Sequence, residues 1–570
     1  MAMLLVMAVL AMGSTWMVLT RLNAAATEMT IAKRSHNAKV LAQAKLALIG
    51  YVAAQANKTG ENNPGNVPCP ENPGDFYNAD PTYEWRQGLQ GSGCGSSVKV
   101  GRFPWRTLGL DKLVDADGEA LWYVVSPNWG GSGTVINSDS TGQLTVDGVA
   151  SAAIALIIAP GAVISVQAAS GCTAWNQTRP TNATPDWRNY LECENATSPA
   201  DYAFVTTGPS GSFNDQVMVV TAAEMLAPLE AAIANRIERE IAPVLQTVYT
   251  EGSFGLSGSQ PVYPYPAPFA DPGSASYRGA TSTSLSGGNS YGGLLPVNYV
   301  SCTEGTDARC AYSTFHAFSK ASNDVQTDGT GYIRTQSTCS WSSDTYTCTG
   351  EYFEPFIAVT VNIRISDVAM GMRTLDTTKV SFTALNDTSG GWGTQTIPHT
   401  VTPTMNSDGS MTLLIAGAAM PDIDTAGWGS YAWYRVSIQR SVLGDHAFLS
   451  TTLDTSNPAD KTWFMRNRWY RMTYYAVASG HTSAILPSNR SCTTGSTCLT
   501  VTSTDGARPI TPAGGQRVIL ILAGRSLSSS SRPNGMLTDY LESGNATGAF
   551  IRQVVSRNTF NDRVVVVSSN

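Results

Sequence analysis

Several residue groups in this chain have types and spacings that could do chemistry. Gly288-Asn-Ser-Tyr-Gly292 fits the Gly-x-Ser-x-Gly pattern of a serine nucleophile. That pattern works only as a sharp turn between a strand and a helix, which presents the hydroxyl. Here it lies in a Ser/Gly-rich stretch, where a chance match is the simpler reading. Asp115-Ala-Asp117-Gly118-Glu119, with Asp111 nearby, gathers oxygen donors around a glycine turn. Asp115, Asp117 and Glu119 are a calcium candidate on that basis, although the full EF-hand loop pattern is absent and Asp-Gly turns are common. Phe213-Asn-Asp215 and Phe560-Asn-Asp562 each precede a Val-rich run. Tight turns whose Asx side chains bond local backbone explain them better than catalytic carboxylates do. His36, His316, His399, His446 and His481 share no ligand spacing, and there is no Walker loop or dinucleotide fingerprint. No catalytic residue, no cofactor and no other metal site is expected.

The 10 cysteines fall as sequential neighbours: Cys69 and Cys94, Cys172 and Cys193, Cys302 and Cys310, Cys339 and Cys348, Cys492 and Cys498. None forms Cys-x-x-Cys or a haem-attachment pattern. Local disulfides are the expected use, which implies an oxidising compartment. Connectivity is not determined by the spacing.

The elements that would position these groups follow from composition and period. A chain of 570 residues calls for several domains. Charged residues are 14%, against roughly 25% in typical soluble proteins, and net charge is −7. No basic stripe offers a footing for nucleic acid. Such a surface, rich in Ser, Thr, Gly and Asn, suits an exported β-rich protein.

Met1 to Thr20 carry no charge, and the first charged residue is Arg21. The run is close to the ~20 residues needed to cross a bilayer. A secretory signal would need a basic segment before it. Met1 therefore reads as a mature N-terminus left after removal of a basic leader. Good helix formers continue with no proline before Pro64. One helix over 1–56 is predicted, apolar in its first half and amphipathic in its second, with Leu41, Ala44, Leu48 and Val52 as the buried stripe. Gly13-Ser14-Thr15 is a weak point where such a helix could bend or melt.

After the helix come Pro68-Cys-Pro70, then Gly101-Arg-Phe-Pro-Trp-Arg-Thr-Leu-Gly-Leu110 and Leu121-Trp-Tyr-Val-Val-Ser126. This order resembles the type IV pilin and type II secretion pseudopilin superfamily, in particular a group of large pilin-like proteins, over residues 1–220. The resemblance implies an α+β fold with a long helix packed on a β head, export through the inner membrane, and assembly with copies of itself or other pilins. Leu4, Leu5, Val6, Val9, Leu10, Trp16 and Leu19 would then be filament-core contacts. The family usually has Glu at the fifth position, where this chain has Leu5. Large minor pseudopilins at filament tips also lack it, so shaft and tip roles both stay open. A plain signal anchor is the alternative reading of the same helix.

The chain also echoes itself. Tyr190-Leu-Glu192, Asn195-Ala-Thr197 and Phe213-Asn-Asp215 return in order as Tyr540-Leu-Glu542, Asn545-Ala-Thr547 and Phe560-Asn-Asp562, each set following an apolar strand run. A tandem duplication is the expectation. The second copy begins with a capping box at Thr221-Ala-Ala-Glu224 and an amphipathic helix that Pro228 and Pro243 should bend or shorten. Between its parts, alternating runs near 356–365, 379–383, 410–415 and 431–438 predict an inserted antiparallel sandwich. The expected organisation is helix 1–56, first head 57–220, second head 221–301 with 457–570, and insert 302–456. Trp392, Trp428, Tyr431, Trp433 and Tyr434 offer a face for a surface or glycan ligand, or simply core. Asn195 and Asn545, with five other Asn-x-Ser/Thr sites, are formal glycan acceptors. The functions left in play are a filament subunit, a tip subunit with an adhesive insert, and a membrane-anchored secreted hydrolase.

Overall fold

The computed structural model describes residues 2–76, 86–131, 133–164, 177–179, 186–197, 202–206, 213–250, 263, 290–295, 318–326, 333–352, 357–365, 373–385, 394–406, 410–420, 432–445, 462–478, 481, 498–527, 532, 536–556 and 558–569. The fold is α+β, with a long N-terminal helix and antiparallel sheets. The chain divides into two compact units, 1–233 with 466–468, and 234–465 with 469–570.

In the first unit, helix α1 (Ala2–Ala56) is unbroken. Gly13-Ser14-Thr15 is helical, so the chain does not melt there. Neighbouring threonines return their hydroxyls to the preceding turn, as Thr20 Oγ1 does to the Trp16 carbonyl at 2.9 Å and Thr27 Oγ1 to Asn23 at 2.8 Å. Polar side chains that bond their own helix need no outside partner. The predicted stripe is buried: Leu41, Ala44, Leu48, Val52 and Ala56 are all at most 3% exposed. They pack on a four-stranded antiparallel sheet, ordered Lys99–Arg102, Trp122–Val125, Ala155–Ala159, Gln216–Val220. Each i, i+3 or i+4 step returns the apolar face to the sheet, so local pattern suffices to dock this half. Lys45 Nζ fastens the same face, donating to the Val219 carbonyl at 2.7 Å and to Glu224 Oε1 at 2.6 Å.

The capping box forms as predicted, with the Thr221 and Glu224 backbone N–H groups bonding each other's side chains. It opens helix α2 (Ala222–Arg236), which contains Pro228. A π-helical turn, Ile237–Ile241, then leads into α3 (Ala242–Thr250). Pro243 is the second residue of α3, directly after the π-helical turn, where the helical ladder changes its spacing. The helical run expected to open the second head is shared between the two compact units, its residues up to Ile233 falling in the first. Leu229 lies against Gly65 and Glu224 is tied to Lys45, which holds that part to first-unit partners.

The second unit holds another four-stranded antiparallel sheet, ordered Ser290–Leu294, Thr473–Ala478, Gln516–Leu522, Arg563–Ser569. In this sheet, as in the first, spatial order follows chain order. The residues between its first two strands form two five-stranded antiparallel sheets. Alternate residues of Ala358–Ile365 and Met411–Ala419 meet alternate residues of Val380–Leu385 and Ala432–Gln439 in one core, including Val361, Ile363, Leu413, Phe382, Val436 and Ile438. This is the sandwich that the alternation predicted.

Two of the expected cysteine pairs are disulfides, Cys69–Cys94 and Cys339–Cys348, with Cα atoms 5.7 and 4.0 Å apart. Cys498 is also disulfide-bonded. Cys172, Cys302, Cys310, Cys492 and the Cys193 side chain lie outside the described residues.

Candidate functional site

The residues of α1 ahead of the packed stripe form a long exposed element. Every described side chain from Met12 to His36 is exposed. Trp16 is 73% exposed, Leu22 60%, Met29 66% and Ile31 60%. Apolar groups of this size, left in water along one element, mark an interaction surface. Leu4, Leu5, Val6, Val9, Leu10 and Leu19 lie on the same helix, but their side chains are outside the described residues. Among the described residues no helix is long and apolar enough to cross a membrane.

The calcium candidate takes another form. Asp115 is 2% exposed, and its Oδ1 accepts from the Asp117 and Glu119 backbone N–H groups, each at 2.9 Å. Its Oδ2 accepts from Gly161 N at 2.8 Å. Asp117 instead pairs with Lys33 of α1, and Glu119 with Arg179 at 3.1 Å. The three carboxylates thus serve three different partners, and among the described residues no acidic or His/Cys group could hold a metal. What the loop does is dock on α1, where Asn37 Oδ1 accepts from Ala116 N at 2.7 Å.

The echoed motif assembles two buried acid clusters. In the first, Glu192 Oε2 accepts from the Asn214 and Asp215 backbone N–H groups, each at 2.9 Å. Asp215 Oδ2 accepts from Glu192 N at 3.1 Å and Asn195 Nδ2 at 3.0 Å. Asn195 Oδ1 accepts from Val205 N at 2.9 Å. The second cluster repeats every one of these bonds. Glu542 Oε2 accepts from Asn561 N at 3.0 Å and Asp562 N at 3.2 Å. Asp562 Oδ2 accepts from Glu542 N and Asn545 Nδ2, both at 2.9 Å, and Asn545 Oδ1 from Ile551 N at 2.8 Å. Burial, then the facing Glu192 charge, pushes Asp215 far above the usual carboxylate range, and the same causes act on Asp562 through Glu542. Among the described residues no donor reaches Asp215 Oδ1 or Asp562 Oδ1. Burial raises the facing Glu192 and Glu542 as well, so each pair of carboxyls favours a state in which a proton is held between them.

Asp215 and Asp562 are 1% and 2% exposed, so neither pair meets a substrate. The sequence reading expected these Asx side chains to bond local backbone; instead Asp215 Oδ2 takes the Glu192 N–H and Asn214 Nδ2 donates to the Ala162 carbonyl, both far off in the chain, because the facing Glu192 and Glu542, which the echo itself carried, draw the turns into a buried cluster. A separate buried acid, Glu71, is raised to about 7 by burial, against the pull of the Gly88 N–H and Arg102.

The remaining singled-out residues are structural or outside the described set. Ser290 starts a strand that continues to Leu294, so no strand-to-helix elbow is built there. His36 faces the Val114 carbonyl, His399 the Ile397 and Val380 carbonyls, and His481 Tyr249. Tyr434 is fully buried and donates to Asp324 Oδ2, which removes it from any ligand face. Trp433 sits half-buried beside it, while His316, His446, Trp392, Trp428 and Tyr431 lie outside the described residues. Asn195 and Asn545 are 0% exposed and cannot accept a glycan in the folded chain. Comparison with protein-family models, with curated proteins and with solved structures returns no match.

Proposed function

We propose that the chain is a structural subunit of an extracellular type IV pilus-like filament, assembled through α1 and held in the inner membrane before assembly. The supporting observation is the division of α1: a stripe from Leu41 to Ala56 packs on a sheet, while the apolar side chains from Met12 to Ile31 are exposed. Burying that surface against the same helix of neighbouring copies would contribute at roughly 25 cal/mol per Å². Disulfides fit an exported protein. The common strand order and the repeated acid cluster support two duplicated pilin-like heads, with the sandwich inserted in the second.

Removing residues 1–20 is expected to abolish filaments and leave the heads folded. Met12, Trp16, Met17 and Val18 are exposed, so the unfolding midpoint should move by less than about 2 °C. Cryo-electron microscopy of sheared filaments and thermal unfolding of the truncated chain read the two halves of that statement. Filaments from the truncated chain would sink the proposal. Leu5 favours a second reading as a minor or tip subunit with an adhesive sandwich. In that case the chain appears only at filament ends in the same images.

A further inference from the structure

The first unit contains a polar pocket of about 750 Å³, within the roughly 300–1,000 Å³ of small-molecule sites. Its walls are glycine-rich. Gly93, Gly131 and Gly133 have φ of 77°, 80° and 98°, and a Cβ at Gly131 would collide with the Cys94 carbonyl. Backbone amides can therefore come close to whatever enters. Ser96 and Asn128 add an exposed hydroxyl and an exposed side-chain amide, neither with a partner among the described residues. The described lining contains no carboxylate, in a chain of net charge −7.

Among the described lining residues Arg468 is the one cation. It is exposed and has no carboxylate partner among the described residues, and Arg466, also exposed, reaches to within 3.9 Å of where a Cβ on Gly133 would be. The residue between them explains their posture. Asn467 is 0% exposed, with Oδ1 accepting from Ile136 N at 3.3 Å and Nδ2 donating to the Asn62 carbonyl at 3.0 Å. Its own carbonyl accepts from Asn137 Nδ2 at 3.0 Å. With Asn467 locked, Arg468 is held at φ 58°, a left-handed conformation that suits glycine and disfavours arginine. Backbone strain kept at a pocket wall, on a side chain with no partner among the described residues, is where function is to be sought.

We propose that this pocket binds an oxyanion carried on a polyhydroxylated small molecule, a uronate or a sugar phosphate. Arg468 would take the oxyanion in its planar fork, and Ser96, Asn128 and the glycine amides would take hydroxyls. Among the described lining residues there is no aromatic platform, and Val135 is the one exposed apolar side chain, which argues against a lipid or a neutral sugar. This inference does not rest on the filament reading.

The test is isothermal titration of the detergent-solubilised full chain with glucuronate, glucose 6-phosphate, inorganic phosphate and glucose. Glucuronate or glucose 6-phosphate should bind, and glucose should not. Arg468→Ala should weaken binding by about ten- to a hundred-fold, the usual range for a charge-assisted hydrogen bond. Arg468→Gly should weaken it as much while raising the unfolding midpoint, because glycine fits the left-handed backbone; this separates lost binding from lost folding. Undiminished binding in Arg468→Gly, binding of glucose as tight as that of glucuronate, or no binding of any probe would each overturn the proposal. Inorganic phosphate binding as well as its sugar ester would overturn the polyhydroxylated part.

Discussion

Asp215→Ala should destabilise the first unit by about 3–5 kcal/mol, and Asp562→Ala should do the same to the second. Each substitution leaves two buried donors without an acceptor, the backbone N–H of Glu192 or Glu542 and the amide of Asn195 or Asn545. Asp215→Asn is the informative control. Asparagine keeps one accepting oxygen and replaces the shared proton with an amide donor aimed at Glu192, so it should cost only about 1 kcal/mol. The parent and the Asn variant should also differ in pH dependence. In the folded state Asp215 holds its proton well above the ordinary carboxylate range. Over that interval the folded chain binds more protons than the unfolded one, so stability falls as pH rises from about 4 through the folded value. Glu71, raised to about 7, adds a slope of the same sign. Urea unfolding across that range reads all of this. A parent midpoint in Asp215→Ala would show that the cluster contributes nothing, and an unchanged slope in Asp215→Asn would move the proton elsewhere.

Glu240→Ala is expected to have a comparable effect in the second unit, about 3–5 kcal/mol. Arg236 is 0% exposed and grips Glu240 through two bonds, Nε to Oε1 at 3.0 Å and Nη2 to Oε2 at 3.1 Å. Trp463 Nε1 donates to the same carboxylate at 2.7 Å, and its ring lies 4.1 Å from the guanidinium carbon. Alanine would leave that guanidinium buried without its carboxylate. Adding Arg236→Met removes the cation and fills the space with an apolar chain, so the double variant should recover at least half of the loss. Unfolding curves of the two single variants and the double one complete the cycle. A double variant less stable than Glu240→Ala alone would mean that the ring contact, and not the buried charge, dominates.

The sequence by itself determined the elements that depend on near neighbours. The stripe from Leu41 to Val52, the Thr221–Glu224 capping box and the sandwich strands follow from period and propensity, which act over a few residues. The two described disulfides also join cysteines that are neighbours in sequence. The tertiary structure decided where the charged groups went. Asp115, Asp117 and Glu119 look alike in sequence, yet one ties its own loop, one meets Lys33 and one meets Arg179. Asp215 finds Glu192 across 23 residues. Asn467 finds Asn62 across 405 and leaves Arg468 facing a pocket of glycines. An apolar side chain needs only burial, and periodicity reports its face. A buried polar group needs one particular partner at about 3 Å, and only the closed chain brings that partner into reach.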